Sequence, residues 1–181
     1  MKEIIFYGRG GQGTVIASKL LAIAAFKEGK NVQSFPSFGV ERRGAPVTAY
    51  TRFHNLEIRK RVPITEPDYV IVLDPTLIED IDISKGLKKN GYILINTKDS
   101  KDSFKFSKKY NVFTFDAQAT ALKYGLGTES APIVNTSILG AFSKFTKEIK
   151  IESLVAAIKE NVTIKTEENI KAVKEAYEKA D

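Results

Sequence analysis

The chain of 181 residues contains no cysteine and no tryptophan, and only one histidine and one methionine. Without cysteine it has no disulfide bonds, no thiolate metal site and no iron–sulfur cluster of its own, because such clusters are held by cysteine sulfur. The one histidine, His54, lies at a predicted hairpin turn, so we expect it to be exposed and inert, and it has no cysteine beside it for a zinc site. These absences exclude a protein that runs redox chemistry alone.

Long apolar runs are also missing. No stretch approaches the roughly 20 residues that cross a bilayer, and the start, Met1–Gly8, turns too soon into glycines for a signal peptide. We therefore expect a cytoplasmic protein with no membrane partner. The net charge is +6, but lysines and glutamates are interleaved along the helical segments. This pattern favours a solvated, salt-bridged surface, and we expect no nucleic-acid partner.

Short apolar runs and helical segments predict an α/β fold. We expect one Rossmann-like three-layer domain over residues 1–181, with a mainly parallel sheet, an antiparallel hairpin toward one edge and a helical C-terminal third. A βαβ unit opens the chain, and its helix is apolar on nearly every side, so we expect it to be buried. The predicted strands are Lys2–Tyr7, Asn31–Phe35, Tyr69–Leu73, Tyr92–Ile95 and Val112–Phe115, and the predicted hairpin pairs Val47–Phe53 with Leu56–Lys60. The predicted helices are Gln12–Glu28, Ala117–Tyr124, Pro132–Lys147, Ile151–Ile158 and a last one capped by Thr166. Pro36–Pro46 is predicted to be a loop.

A glycine-rich motif follows the first strand. Gly8-Arg-Gly-Gly-Gln-Gly13 matches G-x-G-x-x-G between a predicted strand and a predicted helix, which is the context that gives the motif its meaning. Glycines permit a tight turn and let a ligand approach the backbone, and the free N–H groups at the helix start attract an anion. The motif therefore predicts a phosphate-binding loop. The alternative is that the glycines serve only to pack the helix against the strand.

A nicotinamide dinucleotide is one candidate ligand for such a loop. NAD needs an acidic residue at the end of the second strand to hold its ribose, and there the sequence reads Gln33-Ser-Phe-Pro36. Arg42 and Arg43 could instead contact the 2′-phosphate of NADP, so a stand-alone NADP-binding Rossmann reductase remains an alternative. The absence of a Tyr-Lys or His-Asp constellation disfavours it.

Polar residues also follow the later predicted strands. Asp74, Asn96 and Asp116 end three apolar runs, and the carboxyl ends of parallel strands meet at the edge where ligands bind. We expect the two aspartates to cap the helices that follow them rather than to act in catalysis.

A second unusual stretch is Ser37-Phe-Gly-Val-Glu-Arg-Arg-Gly44, a long loop with two adjacent arginines and two glycines. Arginine makes planar, bidentate contacts with phosphates and carboxylates. The loop is therefore suited to a phosphate or to another subunit, and a solvated surface loop is an equally weighted alternative.

Together the two loops resemble the gamma subunits of 2-oxoacid:ferredoxin oxidoreductases, of which pyruvate:ferredoxin oxidoreductase (pyruvate synthase) is the best known. The resemblance runs over most of the chain and rests on Gly8–Gly13, Ser37–Gly44, Thr48–Tyr50, Glu66–Asp68 and Asn135–Phe142, in that order.

The resemblance implies an enzyme that oxidatively decarboxylates a 2-oxoacid, joins the acyl group to coenzyme A and passes electrons to ferredoxin. In such enzymes thiamine diphosphate, anchored through Mg²⁺, lies between the alpha and beta subunits, and 4Fe–4S clusters lie in the beta and delta subunits. This chain would join alpha, beta and delta subunits in a heterotetramer, and it could pair as a homodimer when isolated. Pyruvate is the first expectation for the substrate, ahead of branched-chain oxoacids and 2-oxoglutarate.

We expect this subunit to contribute assembly and part of the coenzyme A site, with no catalytic residue and no metal ligand of its own. The residues we assign to phosphate and coenzyme A contact are Gly8, Arg9, Gly10, Gly11, Gln12, Gly13, Thr14, Ser37, Arg42 and Arg43.

Overall fold

A mixed six-stranded sheet forms the centre of the protein in a computed structural model that describes residues 1–37 and 44–180. The strands are β1 (Lys2–Arg9), β2 (Asn31–Ser37), β3 (Pro46–His54), β4 (Tyr69–Val72), β5 (Tyr92–Asn96) and β6 (Asn111–Phe115), and a separate small hairpin joins β7 (Gly127–Thr128) to β8 (Ala131–Pro132). The helices are α1 (Thr14–Lys27), α2 (Leu77–Asp80), α3 (Ala117–Lys123), α4 (Asn135–Thr146), α5 (Ile151–Asn161) and α6 (Thr166–Lys179), with two short 3-10 turns at Lys101–Ser103 and Lys105–Lys108.

The sheet order is β2-β3-β1-β4-β5-β6. β1, β4, β5 and β6 pair in parallel, whereas β3 runs antiparallel to both of its neighbours, β1 and β2. The predicted α/β class, the mainly parallel sheet and the antiparallel hairpin at one edge are confirmed.

The partners within that hairpin were predicted wrongly. β3 pairs with β2 and lies between β2 and β1, so the first two strands are parallel but not adjacent. The segment expected to pair with β3, Leu56–Lys60, is irregular. It lies instead against β2, where the Gln33 side chain donates hydrogen bonds to the carbonyls of Ile58 and Lys60. His54 ends β3 and is half-buried rather than exposed at a turn.

The two faces of the sheet carry different layers. Ile4, Phe6 and Ile71 point toward α1, α4, α5 and α6, which form the larger core. Val70 and Ile93 point to the opposite face, where Ile83 and Leu87 cover them together with Phe104 and Phe106. Strands that are apolar on both faces are typical of a parallel sheet covered on both sides.

Helix α1 differs from its prediction. One side packs on β1, β2 and β3, but Val15, Ile16 and Phe26 are 39%, 50% and 67% exposed. The helix is therefore buried on one side only, and its other side presents apolar residues to solvent.

Two further boundaries need correction. α4 begins at Asn135 rather than at Pro132, which lies in β8, so Ile133 is partly exposed rather than inward. Thr166 is the first residue of α6 and not its cap, because its hydroxyl donates back to the Val162 carbonyl (2.6 Å).

Candidate functional site

The glycine loop links the end of β1 to the start of α1. Gly11 and Gly13 have φ of 102° and 82°, a left-handed region that favours glycine. A side chain at Gly8 would collide with the Thr14 hydroxyl, and one at Gly13 would lie 2.6 Å from the Asn135 amide nitrogen. The loop thus depends on glycine for both its turn and its close packing.

Three amides of the loop are bonded within the protein: those of Arg9, Gly10 and Gln12. Gln12 Oε1 accepts a hydrogen bond from the Arg9 N–H (2.8 Å), and Gln12 Nε2 donates to Asp74 Oδ2 (2.8 Å). The Gln12 side chain therefore links the loop to the end of β4, and both of its polar atoms are hydrogen-bonded within the protein.

The remaining amides of the loop and those of the first residues of α1 have no such partner. Within the described ranges, no acceptor bonds the N–H groups of Gly11 or of residues 13–16. α1 also has no acidic residue in its first turn and no side-chain cap. Since the first amides of a helix carry partial positive charge, this start of α1 is suited to an anion.

Arg9, expected to offer charge to a phosphate, has other contacts in this structure. Its guanidinium donates to Thr76 Oγ1 (2.8 and 3.2 Å) and to the Gly44 carbonyl (3.3 Å), and it lies 3.5 Å from Asp74. The Arg9 side chain thereby links β1 to the residues that follow β4. Its contact with a ligand remains a prediction.

Gly44, the last residue of the second loop, and the following Ala45 bond to the glycine loop. The Gly10 N–H donates to the Ala45 carbonyl (2.9 Å), and the Gly44 N–H donates to the Gly10 carbonyl (3.2 Å). Ser37 is exposed at the end of β2, while Arg42 and Arg43 lie outside the described residues.

The polar residues at the ends of the later strands bond within the protein, and of the two aspartates expected to cap helices Asp116 does so and Asp74 does not. Asp74 Oδ1 accepts from the Thr76 N–H (3.0 Å) at the turn into α2, and Asp116 Oδ1 accepts from the Ala119 N–H (2.8 Å) and caps α3. Asn96 connects the Leu73 carbonyl with the Gln118 N–H. Each of the three thus has a hydrogen-bonding role within the fold.

Sequence reasoning missed the part played by the start of α4. Asn135 is 4% exposed and lies against Gly13, although 122 residues of sequence separate them. The only available signal was that Asn135 opens one of the motifs of the family resemblance, which assigns it no role.

Two tyrosines of the sheet have a raised pKa, and one of them, Tyr7, is next to the glycine loop. Burial and a hydrogen bond to Glu148 raise the pKa of Tyr69, and burial raises the pKa of Tyr7, which precedes the glycine loop in β1. Among the described residues there is no cluster of three groups that could hold a metal ion, and no helix there is both long and apolar enough to cross a membrane.

Comparison with known proteins gives one consistent match. The model of the family "Pyruvate ferredoxin/flavodoxin oxidoreductase" matches residues 3–179. The chain is 50% identical to the pyruvate/ketoisovalerate oxidoreductases common subunit gamma of Pyrococcus furiosus, over all of this chain and 98% of the relative.

Solved structures agree with that match. Pyruvate oxidoreductase subunit PORC of Thermotoga maritima superposes with a TM-score of 0.82 and 32% identity, over 99% of this chain and 97% of that one. 2-Oxoglutarate:ferredoxin oxidoreductase of Magnetococcus marinus, solved with 2-oxoglutarate, coenzyme A and succinyl-CoA bound, shares the fold at a TM-score of 0.76 and 18% identity, over 98% of this chain and 30% of that longer one. The chain therefore belongs to the pyruvate ferredoxin/flavodoxin oxidoreductase family, as a gamma subunit of these oxidoreductases.

Proposed function

We propose that this gamma subunit serves an enzyme that oxidatively decarboxylates pyruvate to acetyl-CoA and CO2 and passes the electrons to ferredoxin. In that enzyme the chain contributes assembly and part of the coenzyme A site, through the glycine loop and the second loop. Thiamine diphosphate, Mg²⁺ and the 4Fe–4S clusters belong to alpha, beta and delta subunits.

The open start of α1 is the observation that carries the coenzyme A assignment. Coenzyme A has a diphosphate and a 3′-phosphate, and both need hydrogen-bond donors. The amides of Gly11 and of residues 13–16 are donors without an acceptor in the described part of the chain, and no carboxylate lies in the first turn to compete. Thr14 Oγ1 adds a buried hydroxyl with no partner among the described residues.

Two features of the chain support this assignment of roles to the subunits: the absence of cysteine and the exposed apolar side of α1. A chain without cysteine has no ligand for an iron–sulfur cluster. The exposed apolar side of α1, with Ile16 and Phe26, is the kind of surface that a subunit interface covers.

The experiment uses the complex. The chain is coexpressed with its alpha, beta and delta subunits, and coenzyme A-dependent pyruvate oxidation is followed with ferredoxin as acceptor. Val15→Asp places a carboxylate in the first turn of α1, where it stabilises the helix but repels an anion. We expect the KM for coenzyme A to rise about tenfold or more, with the KM for pyruvate unchanged.

Val15→Asn is the matched control, since it has the same size without the charge, and its KM for coenzyme A should stay near that of the wild type. An unchanged KM in Val15→Asp would show that coenzyme A is bound elsewhere. Elution of the chain alone in size-exclusion chromatography would contradict the assembly role. Faster turnover of a branched-chain oxoacid or of 2-oxoglutarate than of pyruvate would contradict the choice of substrate.

A further inference from the structure

The start of α4 lies directly against the glycine loop. An ideal Cβ on Gly13 would be 2.6 Å from Asn135 Nδ2 and 3.0 Å from its Cγ, so the carboxamide sits on the loop at the point where α1 begins. Asn135 is the first residue of α4 and is 4% exposed. The tertiary fold thus brings a second helix N-terminus to the open amides of the first.

In the carboxamide of Asn135 the oxygen accepts a hydrogen bond, whereas the nitrogen donates none to the described residues. Oδ1 accepts a hydrogen bond from the Thr136 N–H (2.8 Å), which directs the NH2 group toward the loop. Nδ2 donates to no acceptor in residues 1–37 or 44–180. The side chain is 4% exposed, and buried polar groups usually have a hydrogen-bond partner, so this donor is available to a ligand.

The first turns of α1 and α4 hold further polar groups without partners. Thr14 Oγ1 in α1 and Ser137 Oγ in α4 are buried and have no hydrogen-bond partner in the described part of the chain. Neither first turn contains an acidic residue. The two helix N-termini that meet at the glycine loop therefore carry no carboxylate of their own to neutralise their partial positive charge.

We propose that Asn135 is a ligand-binding residue, whose Nδ2 donates to the same phosphate group that the glycine loop receives. This inference rests on the proposed function of that loop and extends its anion site to α4. The ligand class is a diphosphate or a phosphate ester held between the two helix N-termini.

Binding of inorganic pyrophosphate to the full chain, measured by calorimetry, tests the proposal without the rest of coenzyme A. Asn135→Asp keeps an oxygen for the Thr136 N–H and adds a charge that favours a helix start, so the Tm should hold or rise. The same change replaces the donor with a negative acceptor, and we expect the Kd for pyrophosphate to rise about tenfold or more. If Asn135 had only a structural role, the substitution would not weaken pyrophosphate binding while the Tm held or rose.

Asn169→Asp is the matched control. Asn169 Nδ2 donates to the Lys165 carbonyl (2.8 Å) at the start of α6, so this variant should lose stability and keep its affinity for pyrophosphate. If Asn135→Asp does not fold, Asn135→Ser, which keeps a capping oxygen and removes the NH2 group, should show the same loss of affinity.

Pyrophosphate binding by Asn135→Asp or Asn135→Ser within twofold of the wild type would overturn the role of Asn135. If Val15→Asp weakens binding in that case, the glycine-loop site stands alone. Absence of saturable pyrophosphate binding by the wild-type chain would overturn both proposals.

Discussion

Arg52 is a charged side chain buried in the protein, with only 1% of it exposed. Its Nε donates to Glu3 Oε1 (2.7 Å), and its other nitrogens reach the Gln33 side chain and the Val62 carbonyl. The guanidinium thereby joins β1, β2 and β3 to the irregular segment that follows β3. Removal of one partner leaves the other charge buried, which costs far more than breaking an exposed pair.

We expect Arg52→Met to lower the free energy of unfolding by about 3–5 kcal/mol, as measured by urea denaturation. Arg59→Met removes an arginine from an ion pair with Glu57 whose side chains are 86% and 73% exposed, and it should cost less than about 1 kcal/mol. Equal effects of the two substitutions would show that the buried pair has no special role.

Glu175 gives the chain an acid-sensitive contact. Lys123 (2.6 Å), Lys179 (2.7 Å) and the Tyr124 hydroxyl all donate to its carboxylate, and they lower the pKa of Glu175 from 4.5 to about 2. Because the unfolded chain binds this proton at a higher pH, the stability that Glu175 contributes is present above about pH 4.5 and is lost as the pH falls toward 2.

Glu175→Gln should therefore show a smaller fall in Tm than the wild type between about pH 6 and about pH 3. Glu178→Gln removes the same charge from an exposed position on the same helix, and its fall in Tm should match that of the wild type. Parallel pH profiles for all three proteins would contradict the assigned role of Glu175.

At the scale of elements, α4 and α6 pack side by side in the same direction. Thr136 Oγ1 donates to Asn169 Oδ1 (2.8 Å), and one turn further Gly140 faces Val173 and Ala176. A Cβ at Gly140 would collide with the Val173 carbonyl oxygen. The glycine therefore sets the distance between the two helices and, with it, the position of the start of α4 beside the glycine loop.

Gly140→Ala should lower the free energy of unfolding by about 1–3 kcal/mol. This sign is the reverse of helix propensity, which favours alanine over glycine by about 1 kcal/mol in a helix interior. Denaturant unfolding measures the difference, and a stabilised variant would show that the helices separate without cost.

At the scale of the whole molecule, the apolar side of α1 is the surface that we propose for contact with another subunit. Phe26 is 67% exposed, so Phe26→Ser should leave the Tm of the isolated chain almost unchanged. If this side contacts another subunit, the same substitution should reduce the amount of alpha, beta and delta subunits that copurify with a tagged chain.

Ile164→Ser is the control for that experiment, because Ile164 is 77% exposed and lies between α5 and α6. Copurification should be unchanged in this variant. Equal yields of the complex with both variants would place the interface on another side of the chain.

Local chemistry was enough to predict the apolar strands β4, β5 and β6, the helix after the glycine motif and the capping role of Asp116, whereas Asp74 stabilises the turn before α2 and does not cap that helix. These features depend on side-chain periodicity, on glycine conformation and on hydrogen bonds that span a few residues. The absence of cysteine is a fact of composition, and it bears directly on which cofactors this chain can hold.

Long-range contacts decided the rest. The insertion of β3 between β1 and β2 depends on pairing between strands whose order in the sheet no local pattern encodes, and the exposed side of α1 depends on which neighbours reach it. The glycine loop was visible in the sequence, but only the fold shows that Gln12 fills one of its amides, that Arg9 is held by Thr76 and Asp74, and that Asn135 lies against Gly13. The ends of β1 and β4 and the start of α4 meet only once the chain has folded, since they are separated by tens of residues and are brought together by the packing of helices on the sheet.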